Sequence, residues 1–264
     1  MEEFERFEKL VEIMDQLRGP DGCPWDREQD WQSLRGYLLE ETHEAVAALD
    51  AGDRRGLCEE LGDVLLQIAF LSRLGQEEGA FTAKDVVRGI VEKMIRRHPH
   101  VFGDEQAADA DEVLRNWERI KKEEKAGRGE QRESLLDGLP PGMPALLRAF
   151  RLGEKAARVG FDWPSPRPVV EKIREELGEL ESAMESGNRD EVVEELGDVL
   201  FAVAMLSRKL DRDPEAALEA ANRKFMRRFR GIEQRLAAEG EAVESTQRVR
   251  LEALWDEVKA QERA

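Results

Sequence analysis

Seven residues of this chain, Glu59-Glu60-Leu61-Gly62-Asp63-Val64-Leu65, return unchanged as Glu194-Glu195-Leu196-Gly197-Asp198-Val199-Leu200. Each copy follows a second acidic motif at a fixed distance: Glu40-Glu41-Thr42-His43-Glu44 in the first, Glu175-Glu176-Leu177-Gly178-Glu179 in the second. One offset of 135 residues carries Glu41 to Glu176, Glu44 to Glu179, Glu60 to Glu195 and Asp63 to Asp198. The same offset carries the intervening turn, Gly52-Asp53-Arg54, onto Gly187-Asn188-Arg189. A repeat that includes a turn and both of its flanks is a duplicated structural unit, so the 264 residues divide into two.

Within each unit the spacing is helical. Residues three apart share a helix face, so Glu41 projects with Glu44, and Glu60 with Asp63. A glycine-containing turn folds the two helices antiparallel. Four carboxylates then meet between facing helices, where they repel unless a cation sits among them. Oxygen-only donors suit Mg²⁺ or Mn²⁺ rather than zinc. A solvated acidic surface is the plain alternative in a chain with 58 acidic residues. It does not account for two copies with the same internal spacing and with apolar residues beside the acids.

In chain order, Glu2 to Leu17 reads as an amphipathic helix with Phe4, Phe7, Leu10, Val11 and Met14 on one stripe. Arg18 to Gly22 breaks it. Trp25 and Trp31 flank the next helix and read as core anchors, with a part in a base pocket as the alternative. The Glu41 helix is expected from about Asp30 to Asp50, ended by Gly52. Asp53 is placed to cap the following helix, whose apolar face is Leu57, Leu61, Val64, Leu65, Ile68 and Leu71. Gly62 and Gly197, unfavourable inside helices, suggest close approach of a neighbouring helix or of a ligand, with simple helix packing as the alternative. Thr82 with Asp85 forms a capping-box pattern opening a helix through Arg97, which presents Lys93 and Arg97 one turn apart. Asp109 to about Lys125 is a last helix, with Trp117 and Lys121 one turn apart. A charged stretch and Pro140, Pro141 and Pro144 then lead to the second unit. We expect domains at 1–128 and 144–264, with a linker at 129–143.

The second unit repeats the order. Helices are expected over Ala145 to Val159 and Val169 to Glu185, and Asn188 is placed to cap the next, with Glu191 at its third position. Asp213-Pro214 starts a further helix, which presents Lys224 and Arg228. The last helix presents Trp255 and Lys259. The repeat therefore includes cations and aromatics as well as acids. No strand alternation occurs, and the predicted class is all-α.

These motifs resemble the MazG family of nucleoside triphosphate pyrophosphohydrolases in its tandem two-domain form. The resemblance rests on EExxE followed by ExxD on the next helix, on Gly22-Cys23-Pro24-Trp25-Asp26, on Arg97-His98-Pro99-His100-Val101-Phe102, and on Gly160-Phe161-Asp162-Trp163. It implies two helical-bundle domains, a divalent metal (Mg²⁺, with Mn²⁺ as the alternative), and hydrolysis of an NTP to NMP and pyrophosphate. It places metal on Glu176, Glu179, Glu195 and Asp198, with Glu194 orienting or deprotonating water. Lys224, Arg228 and Lys259 would hold phosphates, Trp255 would pack on base or sugar, and Glu175 and Arg189 join the substrate-binding set. The family expects Lys where this chain has Glu191; Arg189 is the nearby substitute. The corresponding first-unit set is Glu41, Glu44, Glu60, Asp63, Lys93, Arg97, Trp117 and Lys121. Family proteins of this type are expected to work chiefly through the C-terminal copy. A dUTP or phosphoribosyl-ATP pyrophosphohydrolase shares the chemistry and differs in the base pocket.

Competing classes fit less well. A ferritin-like di-iron bundle needs Glu-x-x-His motifs on two helices, and the chain has none. An acidic scaffold for a basic partner explains the net charge of −17 but not the duplicated cation pairs. That charge also argues against a nucleic-acid surface or a polybasic membrane patch. Cys23 and Cys58 are too few for a disulfide framework, and Cys58 reads as a core thiol. No apolar run approaches membrane-spanning length, and Met1-Glu2-Glu3 does not open a signal peptide, so a cytoplasmic location is expected. Each hairpin carries more apolar surface than two helices can bury, which favours a homodimer.

Overall fold

A computed structural model describes residues 6–127 and 134–262. Phe4 of the first expected stripe lies outside the described residues, as do positions 129–133 of the expected linker. The chain forms two compact units, Met1–Gln131 and Arg132–Ala264. Among the described residues every regular element is helical.

The first unit contains α1 (Phe7–Leu17), α2 (Pro24–Glu28), α3 (Trp31–Ala51), α4 (Arg54–Glu77), α5 (Ala83–Arg97), α6 (Pro99–Phe102) and α7 (Ala110–Gly127). The second contains α8 (Ala145–Ala157), α9 (Pro166–Ser186), α10 (Arg189–Lys209), α11 (Pro214–Glu239), a 3₁₀ turn at Val243–Ser245, and α12 (Arg248–Gln261). The hairpins α3–α4 and α9–α10 are the centres of their units.

Local chemistry sets the hairpin ends. The Asp30 carboxylate accepts from the amides of Gln32 and Ser33 at 3.0 and 2.8 Å and starts α3. Gly52 at φ 70° and Gly187 at φ 73° end α3 and α9 in the left-handed conformation that glycine adopts without steric cost. One residue later, Asp53 caps α4 through the amides of Arg55 and Gly56, and Asn188 caps α10 through that of Asp190. Thr82 with Asp85 opens α5 as a capping box, and Asp213 caps α11 through the amide of Ala216. Helix α9 starts at Pro166, earlier than expected, because proline is pre-set for a first helical turn.

In the first unit α1 packs on α4, burying Met14, Leu34, Ala69, Phe70 and Leu74 with Phe7, Leu10, Leu17 and Tyr37 around them. In the second, Val169, Ala204 and Met205 form the matching core with Leu146, Ala149 and Trp163. A Cβ on Gly153 would lie 2.5 Å from the Met205 sulfur, so the close approach of α8 to α10 depends on that glycine. A further cluster, Ile232, Leu236, Leu254 and Val258, joins α11 to α12.

The loops between the first helix and the hairpin are held by arginine. Arg18 pairs with Glu77 at 2.8 Å, donates to the Asp26 and Gln29 carbonyls, and lies 5.5 Å from the Phe70 ring centre. In the second unit the carboxylate of Asp162 takes both arms of Arg208 and, at 2.5 Å, Lys209. Asp26 and Asp162 belong to the two family-like tryptophan motifs, which therefore anchor loops to the ends of α4 and α10. Lys155 donates to the carbonyls of Leu135 and Asp137, tying part of the expected linker to the second unit.

Several expectations about burial and close packing fail. Cys58 is exposed rather than a core thiol, and its counterpart Val193 is 70% exposed. Trp25 and Trp31 are 53% and 39% exposed, so neither is a core anchor. A Cβ on Gly62 or Gly197 would meet nothing within 4 Å. Leu61 and Leu65, expected on the buried face of α4, are exposed, as are Leu196 and Leu200 on α10. The helices bury the opposite rows, such as Phe70 and Leu74 on α4, and leave a second apolar face open.

Candidate metal and phosphate site

The hairpins gather the acids from both of their helices. Carboxylate oxygens of Glu41 and Glu44 from α3 and Glu60 from α4 lie within 4.8 Å of one another. Glu176 and Glu179 from α9 and Glu195 from α10 do the same. Asp63 and Asp198 stand outside these triplets but act on them through their charge.

The electrostatics are those of crowded anions. Glu41 and Glu60 are both pushed above the ordinary carboxylate range, first by loss of water and then by neighbouring acids. Glu179 is raised by its hydrogen bond to Glu176, and Glu195 by desolvation and then by Asp198 and Glu176. Such a set favours a bound cation, and its oxygen-only donors fit a hard divalent ion. The histidines stand apart: the His98 ring nitrogen bonds the Met94 carbonyl at 2.7 Å, and His43 is exposed on α3.

The two triplets differ in one respect not anticipated from the sequence. Lys172 on α9 lies 2.7 Å from both Glu175 and Glu176. Its counterpart at the 135-residue offset is Tyr37. Glu176 is buried at 6% exposure, and Lys172 supplies its charge partner. The signal was available, since a lysine four residues before a glutamate on a helix is a pairing distance. Glu194 is exposed beside Glu195, Arg189 is the exposed first residue of α10, and Glu191 accepts a hydrogen bond from Ser186 at 3.4 Å.

A second cluster forms between the later helices of each unit. Arg97 on α5 lies 5.2 Å from the ring centre of Trp117 on α7, and Lys121 lies 5.6 Å from the same ring. Arg228 on α11 lies 5.5 Å from the ring of Trp255 on α12, which also meets Phe225 at 5.2 Å. The half-buried Lys259 is on α12, one turn beyond Trp255. Lys93, half-buried, and Lys224, exposed, are one turn before their arginines. The contacts described for Arg97 and Arg228 run to the C-terminal segment of their own unit rather than to the carboxylate triplets.

Each of these arginines meets an acid that sequence reading passed over. Glu124 pairs with Arg97 and Arg96, both at 2.6 Å. Glu262 pairs with Arg228 at 2.7 Å and Arg227 at 2.9 Å. Hydrogen bonds, Arg97 foremost, hold Glu124 down to about 2, and Arg228 and Arg227 lower Glu262 in the same way. Each acid lies seven residues after its tryptophan, on the same helix face, which was the legible signal.

Comparison with known proteins places this geometry. The MazG nucleotide pyrophosphohydrolase domain matches twice, over residues 29–102 and 165–233, the two hairpins with the helices that follow them. The chain is 45% identical to the nucleoside triphosphate pyrophosphohydrolase/pyrophosphatase MazG of Thermotoga maritima, over 96% of this chain and 95% of that protein. It is 42% identical to a nucleoside triphosphate pyrophosphohydrolase of Escherichia coli, over 97% and 98% of the two chains. A Mycolicibacterium smegmatis nucleoside triphosphate pyrophosphohydrolase is 35% identical, over 74% of this chain and 65% of its own.

Proposed function

This chain belongs to the MazG family of nucleotide pyrophosphohydrolases, hydrolases of acid anhydrides, and on that premise we propose a divalent-metal-dependent enzyme converting nucleoside triphosphates to monophosphates and pyrophosphate. The observation that carries the reading is the carboxylate triplet, built twice on the two matched hairpins.

Glu176, Glu179, Glu195 and Asp198 would hold Mg²⁺ or Mn²⁺ in the second unit. Such an ion supplies Lewis-acid polarisation of phosphate oxygens and a more acidic bound water. Glu194, beside the cluster, orients the attacking water and accepts its proton. Lys224, Arg228 and Lys259 bind the phosphates and offset charge developing on pyrophosphate as it leaves. Trp255 packs on base or sugar, and Glu175 and Arg189 complete the substrate contacts. Canonical and non-canonical triphosphates are both within this reading, and a base-restricted enzyme acting on dUTP or phosphoribosyl-ATP is the alternative. The second unit carries most turnover in our reading, as the resemblance to tandem family proteins implies; the first completes a homodimeric assembly. A nucleoside triphosphate pool places the work in the cytoplasm. Among the described residues, no helix is long and apolar enough to cross a membrane.

Product analysis tests the reaction. With a panel of ribo- and deoxyribonucleoside triphosphates and Mg²⁺, chromatography should give the monophosphate and pyrophosphate in equal amounts. Nucleoside diphosphate and orthophosphate as first products would overturn it.

A further inference from the structure

We propose that Glu262, and Glu124 in the first unit, are positioning residues: each fixes the guanidinium of Arg228 or Arg97 against the adjacent tryptophan ring, ready for a phosphate. The inference rests on the reading that Arg228 and Lys259 hold phosphates.

One carboxylate serves two arginines in each unit. Glu262 accepts from Nε of Arg228 at 2.7 Å and from Nε of Arg227 at 3.0 Å, one oxygen for each. Glu124 accepts from Nε of Arg96 at 2.6 Å and from Nη2 of Arg97 at 2.6 Å. Two cations against one anion leave the pair positive, so the acid orients the arginine without cancelling it. The inner arginines are the enclosed ones: Arg97 is 13% exposed and Arg228 16%, against 45% for Arg96 and 64% for Arg227. With one edge held by the carboxylate and one face on an indole, the planar fork has a fixed direction.

The arrangement is rebuilt across a change in chain spacing. Arg96 and Arg97 map to Arg227 and Arg228 at an offset of 131, whereas Trp117, Lys121 and Glu124 map to Trp255, Lys259 and Glu262 at 138. Seven further residues thus separate the two halves in the second unit, and the two arginines, the tryptophan and the glutamate still meet. Tryptophan, lysine and glutamate at intervals of four and three share one face of the last helix. That helix lies beyond the segments matched by the family model, so the acid's role is read from these contacts alone.

Without the carboxylate, Arg228 must be ordered by the phosphate itself. Ordering one long side chain on binding should raise KM about three- to tenfold, with kcat little changed. The test is a double-mutant cycle of Glu262→Gln and Arg228→Met, with kcat and KM measured separately. Kd for a non-hydrolysable triphosphate analogue and Tm are followed in parallel. The proposal expects Glu262→Gln to raise KM and analogue Kd together, Glu262→Asp to recover part of the loss, and Glu262→Gln to add nothing in the Arg228→Met background. Since KM and Kd are read on folded enzyme, a lowered Tm leaves the comparison valid. Independent, additive losses would mean that Glu262 only ties α12 to α11, and a lower KM in Glu262→Gln would mean that it competes with phosphate; either overturns the positioning role. If Arg228→Met itself leaves KM and kcat unchanged, the phosphate-binding reading fails, and the inference with it.

Discussion

At the scale of residues, the acids were the most legible part of the chain, because helical spacing and repetition mark them without any tertiary information. Glu41, Glu44 and Glu60 meet, and so do Glu176, Glu179 and Glu195. Their companions were harder to read. Lys172 and Glu262 are ordinary charges on helices rich in charge, and only the fold shows which neighbour each one faces. The crowding of the acids has a consequence for stability. A hydrogen bond to Glu176 foremost raises Glu179, and desolvation followed by like charge raises Glu195, so removing one charge relieves repulsion. We expect Glu179→Gln and Glu195→Gln to demand at least ~10-fold more Mg²⁺. In metal-free buffer, Tm should hold or rise. Activity against Mg²⁺ concentration, with calorimetry in chelator, checks both. An unchanged Mg²⁺ requirement with a lower Tm would mark the acids as a structural surface. Glu176→Gln should differ, because it removes one of the two carboxylates that pair with Lys172; its Tm should not rise.

At the scale of elements, helix ends followed from local chemistry: Asp53, Thr82, Asn188 and Asp213 cap as their sequences predict, and Asp30, at the expected start of α3, caps it too. Burial was less legible. An apolar face on α4 is visible in the sequence, but two such faces exist, and sequence does not say which one α1 covers. That is why Leu61, Leu65 and Cys58, all on α4, are expected inward and lie outward. The clasp at the end of α10 was also hidden, since Asp162 and Arg208 are 46 residues apart. Arg208 first, then Lys209, holds the Asp162 carboxyl down to about 2, below its ordinary 3.8. A depressed acid contributes stability that is complete above its unfolded pKa and is lost as pH falls through the folded one. The clasp should therefore hold above pH ~4 and fail between about pH 4 and 2. Asp162→Asn should lower Tm at neutral pH and flatten its decline across that window. A parallel decline in the variant, measured by calorimetry at closely spaced pH values, would remove the clasp from the account.

At the scale of the whole molecule, each hairpin leaves an apolar face in solvent. On α10, Val193 is 70% exposed, Leu196 48%, Leu200 49% and Val203 40%; on α4, Leu61 is 54% and Leu65 40%. Faces of this kind mark association surfaces. Light scattering should give twice the 30.1 kDa chain mass, and Leu196→Glu with Leu200→Glu should shift it towards one chain. A wild-type mass of one chain would contradict the dimer. The duplication itself supplies the most direct control on function. Glu195→Gln with Asp198→Asn and Glu60→Gln with Asp63→Asn alter matched positions on matched helices, so their structural costs should be alike. The deciding measurement is kcat/KM for NTP hydrolysis by both double mutants, with mass checked by light scattering. The account predicts that the second-unit pair loses at least ~100-fold, about 2.7 kcal/mol of transition-state stabilisation, while the first-unit pair keeps most activity. Equal losses, or a larger loss from the first-unit pair, would contradict it.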